Sequence, residues 1–172
     1  LGGNEESFRV KFSSPFNQEN LLTYLYPLDM RYVNRHNNID KLCNVINEFI
    51  KEVLGNYIVF LPSFQYLNKV YSRSIELYGE ENTIVQGESL SENDKEEFLN
   101  KFKVGANITA FSVVGGMFSE GVDLPGEKLI GAVVVGVGFP MVSIENDIIK
   151  EYFGAQGFDY AYAYPGINKV LQ

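Results

Sequence analysis

The chain has 172 residues, of which 45% are hydrophobic and 21% charged, proportions that favour one globular domain with a sizeable core. Its formal net charge of −8 argues against a domain that grips nucleic acid by bulk electrostatics, although contacts through a few local side chains stay open. No apolar run approaches the roughly 20 residues that span a bilayer, and no signal-peptide pattern opens the chain. We therefore expect a cytoplasmic protein without membrane contact. Because the chain does not begin with Met, we also expect it to be an excised piece of a longer protein.

One cysteine and one histidine limit the chemistry that the chain can carry. Cys43 alone cannot form an internal disulfide, and its helical surroundings predict a small core residue. His36 lies in an Asn-rich loop with no second His or Cys nearby, so we expect it at the surface and predict no metal site. A catalytic Ser-His-Asp arrangement would also have to use His36, and nothing in its surroundings favours one.

The first predicted elements are a strand and a long helix. Residues 8–13 alternate between apolar and polar side chains, which is typical of a half-buried strand, and Ser14-Pro15-Phe16 would end it. Apolar residues recur at helical spacing from Ile39 to Leu54, and Gly55 fits the position just beyond the end of a helix.

The next segment alternates strands and helices again. Residues 57–61 predict a buried strand stopped by Pro62, and Ser63 can cap the helix that follows. Residues 83–86 predict a short strand, and Ser91-Glu92-Asn93-Asp94 has the form of a capping box that opens another helix. Such alternation is typical of a parallel sheet with helical connections.

Two apolar runs flank the most informative loop of the chain. Residues 108–114 and 129–137 each indicate a strand buried on both faces, and residues 115–126 between them hold four glycines, a glutamate and an aspartate. Ligands of open parallel sheets bind in loops at the carboxyl ends of strands, so this loop is a candidate nucleotide or phosphate site. An ordinary turn, with glycines that serve its geometry and acids that face water, explains the same pattern.

The last segment predicts a helix over residues 144–153 and a final helical pattern from Ile167. Between them, tyrosines alternate with alanines over residues 160–164, as on one face of a strand, although such tyrosines could also stack on bases. We expect residues 1–172 to form a single α/β domain whose mainly parallel sheet is flanked by helices.

Four segments, in this order, resemble parts of the second RecA-like motor domain of XPD/DinG-like superfamily 2 DNA helicases. Ser14-Pro15-Phe16 is similar to the start of that domain, residues 60–67 (FLPSFQYL) to motif IV and residues 118–126 (FSEGVDLPG) to motif V. Residues 164–172 (YPGINKVLQ) run into motif VI, with Gln172 as its first residue. The resemblance covers nearly the whole chain and implies a three-layer RecA-like fold.

The resemblance also implies a function in which ATP hydrolysis with Mg²⁺ drives movement along single-stranded DNA, 5′ to 3′ as in the family, in processes such as DNA repair. ATP would bind between this domain and the first RecA-like domain of the same chain, which carries the phosphate-binding loop and the Mg²⁺ carboxylates. No Gly-x-x-x-x-Gly-Lys-Ser/Thr occurs here, and the motif VI arginines would follow Gln172. We therefore expect the isolated chain to be inactive. A 4Fe-4S cluster, in members that have one, would lie in the first half.

The resemblance to these motifs also implies which residues form the binding sites. The residues implied at the nucleotide cleft are Glu120, Gly121, Asp123 and Gln172. The residues implied at single-stranded DNA are Ser63, Phe64, Gly87, Gly116 and Ser119. Three of these have structural alternatives, which are an acceptor of backbone N–H groups for Glu120, a helix cap for Ser63 and core packing for Phe64. Asp123 would accept hydrogen bonds from the ribose or from a motif VI group.

A function of another class stays open from the residues alone. A free-standing module of flavodoxin-like topology could hold a small phosphate or a flavin in the 115–126 loop. Such a ligand-binding or interaction module would need no partner domain.

Overall fold

The computed structural model describes residues 10, 12–13, 17–118 and 121–171. The strands are β1 (Tyr57–Leu61), β2 (Thr83–Val85), β3 (Thr109–Val113) and β4 (Gly131–Val134). The helices are α1 (Ile39–Lys51), α2 (Phe64–Tyr78), α3 (Glu92–Asn100), α4 (Ile144–Phe153) and α5 (Tyr164–Leu171). Most of the predicted strand over residues 8–13 and all of Ser14-Pro15-Phe16 lie outside the described residues.

The four strands form one parallel sheet in the order β2-β3-β1-β4. The register aligns Tyr57 of β1 with both Thr109 and Gly131, and Thr83 of β2 with Thr109. All four strands therefore begin at one edge and end at the other, which we call the carboxyl edge. The predicted parallel α/β fold is confirmed, and the strand order differs from the flavodoxin-like order 2-1-3-4-5.

The sheet lies between two helical layers because its central strands are apolar on both faces. One face carries Val59 and Phe111, which pack with α1 and α2 through residues such as Leu42 and Leu67. The other face carries Ile58 and Ala110, which pack with Phe98 and Phe102 at α3 and with Ile108 and Phe118. Every residue of β3 is buried, as the sequence predicts for a strand covered on both sides.

Two helix starts are set by the local side chains that the sequence predicts. Ser63 accepts a hydrogen bond from the Tyr66 N–H through its Oγ, at 3.4 Å, and so caps α2. Ser91 and Asp94 form the predicted reciprocal capping box at α3, with Ser91 N–H donating to Asp94 Oδ2 at 2.8 Å. In the described part of the chain, no helix combines the length and apolar character needed to cross a membrane.

The end of α1 differs from its prediction. The helix ends at Lys51 instead of Leu54, and the Val53 carbonyl accepts a hydrogen bond from the Tyr57 hydroxyl at 2.7 Å. Gly55 does not end the helix. Its small size is needed for packing, because a Cβ at this position would lie 2.3 Å from Ile130 Cδ1. The contact that selects this glycine comes from a distant segment, which helical spacing cannot reveal.

The apolar run over residues 129–137 forms a shorter and less buried strand than predicted. Only Gly131–Val134 is extended in the sheet, and its residues alternate between half-buried and exposed. β4 is less buried than β3 because it is the outermost strand on its side of the sheet. Val133 packs with the α1 and α2 core, whereas Ala132 and Val134 are exposed on the other face. The prediction of a strand buried on both faces is therefore wrong for β4.

The tyrosine-rich segment is helical, so the predicted strand over residues 160–164 is wrong. Asp159–Ala163 forms a π-helical turn that continues into α5. Its rings pair four residues apart, with Phe158 5.5 Å from Tyr162 and Tyr160 5.2 Å from Tyr164 between centroids. The alternating tyrosines therefore fall on two sides of the helix, with Tyr162 buried and Tyr160 and Tyr164 exposed, and the alanines between them are strong helix formers.

Cys43 and His36 differ in how well their burial is predicted. Cys43 is 1% exposed in the core, as expected. His36 is half-buried and not simply at the surface, with its ring edge-on to Tyr32 and Tyr66 at centroid distances of 6.2 and 5.8 Å. Burial and the nearby cations of Lys69 and Arg35 lower the His36 pKa below its usual value.

Candidate functional site

The carboxyl edge brings together the ends of β1, β2 and β3, and three predicted DNA-side residues follow these strands. Ser63 follows β1, Gly87 follows β2 and Gly116 follows β3. Because β3 lies between β2 and β1, the loop that begins at Gly115 lies between the other two ends. Ser63 and Gly116 are half-buried and Gly87 is exposed.

A tight turn with two glycines leads the chain out of β3. Val114 N–H donates to the Leu61 carbonyl at 2.9 Å, and Gly116 N–H then donates back to the Val113 carbonyl at 3.1 Å. Gly115 has a φ of +70°, which a type II turn requires at its third position. A Cβ on Gly116 would lie 3.0 Å from the Val113 carbonyl oxygen, so the turn has little room for a side chain there.

Gln86 ties the end of β2 to this turn. Its side chain is 5% exposed, and its Oε1 accepts from Ser112 Oγ at 2.6 Å and from Val113 N–H at 3.1 Å. Its Nε2 lies 3.4 Å from the position that a Cβ on Gly116 would occupy. Gln86 thus both holds the last residues of β3 and forms one wall of the glycine turn.

Apolar anchors hold the middle of the loop against the sheet. The Phe118 ring is 3% exposed and stacks on Phe98, with centroids 4.3 Å apart and planes inclined by 27°. Val122 and Leu124 pack against the same cluster, whereas Asp123 between them is exposed. The loop therefore presents a carboxylate to solvent between two side chains that fix its backbone.

Comparison with known proteins shows to which family this domain belongs. The profile of the helicase C-terminal domain family matches residues 46–172. The chain belongs to this family.

Individual relatives agree with that assignment. A probable ATP-dependent helicase of Methanocaldococcus jannaschii is 28% identical over 156 residues, which are 84% of this chain and 23% of the relative. An ATP-dependent DNA helicase of Debaryomyces hansenii is 27% identical over 149 residues, which are 81% of this chain and 18% of the relative. The chain thus spans about a fifth to a quarter of these relatives.

A solved structure supports the fold independently. An XPD helicase matches with a TM-score of 0.62 at 17% identity, over 78% of this chain and 24% of the other. The resemblance to the C-terminal domain of XPD/DinG-like helicases is therefore confirmed, and with it the RecA-like fold class. The family match and the strand order both exclude the alternative of a flavodoxin-like module.

The predicted site residues of this helicase C-terminal domain fall into four groups by position. Ser63, Gly87 and Gly116 follow strand ends at the carboxyl edge, and Gly121 and Asp123 are exposed farther along the loop. Phe64 is half-buried and packs against the core, as its structural alternative proposes. Ser119, Glu120 and Gln172 lie outside the described residues.

The sequence interpretation missed the structural role of Gln86 and the position of Lys169. The sequence places Gln86 at the end of the predicted strand over residues 83–86 and next to the DNA-side candidate Gly87, and it places Lys169 in the segment that resembles motif VI. A polar residue at the end of a short apolar strand was the available signal for Gln86. Nothing in the local sequence indicates that Lys169 of α5 reaches Gly115, because that contact depends on how α5 packs.

Proposed function

We propose that this helicase C-terminal domain is the second motor domain of an ATP-dependent DNA helicase. In this proposal ATP is hydrolysed between it and a first RecA-like domain of the same chain, and the cycle moves the protein 5′ to 3′ along single-stranded DNA. Family membership and the helicase names of two relatives support the proposal. Direction and substrate follow the family resemblance.

The observation that carries the proposal is the exposed Asp123 on a loop anchored at the carboxyl edge. Val122 and Leu124 pack into the cluster below it, so the Asp123 carboxylate is held outward without a contact that would bury it. A carboxylate accepts hydrogen bonds only, and so it suits a ribose hydroxyl or an arginine of motif VI. Gly121, with a φ of +66°, gives the adjoining backbone a conformation that favours glycine.

The two predicted ligands contact different parts of one loop. Gly116 and Ser119 are assigned to the DNA strand, and Glu120, Gly121, Asp123 and Gln172 are assigned to the nucleotide. Phe118, in the segment that joins Gly116 to Glu120, is fixed by its stack on Phe98. A displacement at the nucleotide side would therefore reach the DNA side through a short, anchored segment. Ser63, Phe64 and Gly87 complete the DNA side from the neighbouring strands.

The phosphates and Mg²⁺ are assigned mainly to the first motor domain. Within the described residues no three His, Cys, Asp or Glu side chains come together as a metal site. In this proposal the present domain supplies the nucleotide with a hydrogen-bond acceptor, Asp123, and with the glycine-rich backbone of the 115–126 loop. Mg²⁺, when bound, neutralises charge on the transferred phosphoryl group. A 4Fe-4S cluster, where one is present, is likewise assigned to the first half.

Removal of the Asp123 carboxylate tests the proposal. In the complete natural protein, Asp123→Ala should lower DNA-stimulated ATP hydrolysis by about 10- to 100-fold, because a hydrogen bond to a charged group is worth about 1.5–3 kcal/mol. Steady-state hydrolysis with saturating single-stranded DNA measures the effect. Circular dichroism should show an unchanged fold, since Asp123 is exposed.

Asp147→Ala is the matched control, because Asp147 is an exposed aspartate in the first turn of α4. It should hydrolyse ATP at the wild-type rate. Near-normal turnover of Asp123→Ala, or an equal loss in both variants, would contradict a role of Asp123 in the nucleotide cleft.

A further inference from the structure

Lys169 of α5 lies directly over the glycine turn that leaves β3. A Cβ placed on Gly115 would lie 3.1 Å from Lys169 Cδ, 3.4 Å from Cε and 3.6 Å from Cγ. The methylene stem of the lysine therefore runs across the bare backbone of Gly115. Any side chain at that position would displace it.

The position of Lys169 is set by how α5 packs at the carboxyl edge. A Cβ on Gly166 would lie 2.8 Å from Val137 Cγ1, so α5 meets the segment after β4 at a residue without a side chain. That segment in turn lies against the residue that follows β3, since a Cβ on Gly138 would be 3.7 Å from Val114 Cβ. Lys169, one helical turn beyond Gly166, is thereby held at the end of β3.

The charge of Lys169 is left available for a ligand. The stem is covered by Gly115 while the residue as a whole is exposed, which is how long cationic side chains keep the ammonium group in water. No carboxylate among the described residues forms an ion pair with it. Lys169 therefore places a positive charge at the candidate ligand edge of a chain whose net charge is −8.

We infer that Lys169 binds a backbone phosphate of single-stranded nucleic acid at the glycine turn of Gly115 and Gly116. This inference rests on the proposed function and adds a residue that the motif resemblance does not assign. The phosphate belongs to the strand and not to the nucleotide, because Lys169 contacts the first residue of the loop. Asp123, on the predicted nucleotide side, lies beyond the Phe118 anchor.

Salt dependence of binding tests the inference directly. In the complete natural protein, Lys169→Met keeps most of the stem on Gly115 and removes the charge. For one lost phosphate contact, the slope of log K against log salt should become less steep by about 0.7, and affinity near 0.1 M salt should fall about fivefold. Fluorescence anisotropy with a labelled oligothymidylate measures both.

Two further variants separate a specific contact from loss of net charge. Lys169→Arg keeps the cation and should restore the wild-type slope. Lys103→Met removes an exposed lysine whose carbonyl accepts from Asn56 at 2.9 Å, at the opposite edge of the sheet, and should keep that slope. The fall in affinity for Lys169→Met should also be similar for strands of different sequence, since a phosphate contact reads no base.

Each alternative outcome counts against the inference. An unchanged slope in Lys169→Met, or an equal decrease in Lys103→Met, would overturn it while the wild-type protein still binds DNA and hydrolyses ATP. A raised KM for ATP with an unchanged DNA slope would assign the charge to the nucleotide and would also overturn it. A wild-type protein that binds no single strand would overturn both this inference and the proposed function.

Discussion

The centre of the sheet and its β4 side are built from similar residues but are buried to different extents. In β3 every residue is buried, with Phe111 2% exposed between the two helical layers. In β4, Val134 is 42% exposed although it lies in an equally apolar run. An apolar run thus predicts that a strand forms. Whether both faces are covered depends on where the helices pack.

The comparison is tested most strongly by truncation of one side chain in each region. Phe111→Ala should lower the free energy of unfolding by about 3–5 kcal/mol, because it empties a site inside the α1 and α2 core. Val134→Ala should cost less than about 1 kcal/mol, as at sites outside the core. Urea unfolding of the 172-residue chain, followed by circular dichroism, measures both. Similar losses for the two variants would show that β4 is as well covered as β3.

The next test concerns the polar contact at the carboxyl edge. Gln86→Leu should cost about 1–3 kcal/mol, because Ser112 Oγ and Val113 N–H lose their common acceptor in a buried position. Gln65→Leu, at an exposed site on α2, is the matched control and should be close to neutral. The free energy of unfolding in urea is again the measurement.

A double-mutant cycle sharpens that result. Gln86→Leu combined with Ser112→Ala should cost less than the sum of the single variants, by about 0.5–1.5 kcal/mol for the shared hydrogen bond. Additive costs would mean that the 2.6 Å contact between the two side chains contributes nothing to stability.

Features that depend on near neighbours in sequence were predictable. Ser63 and Ser91 cap their helices through backbone N–H groups three residues ahead, so the sequence shows both partners of each contact. The continuous apolar run over residues 108–114 also predicted the burial of β3, although the same pattern failed for the edge strand β4. The helix over residues 160–164 was not predictable from its tyrosines, because three alternating positions are too few to distinguish a helical period from a period of two.

Features of the site that depend on packing were not predictable. The rule that ligands bind at the carboxyl ends of strands identified the 115–126 loop, and motif V singled out Asp123 within it. Gln86 and Ser112 are 26 residues apart, and only the register of β2 against β3 brings them together. The contact of Lys169 with Gly115 depends likewise on the packing of α5.

The smallest expected effect concerns His36, outside the sheet, whose Nδ1 is buried without a hydrogen-bond partner among the described residues. Burial lowers its pKa in the folded state below the ordinary value of 6.5, so the unfolded chain binds the proton more readily. Stability should therefore be unaffected by this group above that value and should fall as the pH drops below it. Because His36 is the only histidine, few other side chains titrate between about pH 7 and pH 5.5. The urea midpoint of the wild-type chain should decrease over this range and that of His36→Phe should stay level, whereas parallel curves would show that His36 does not cause the loss.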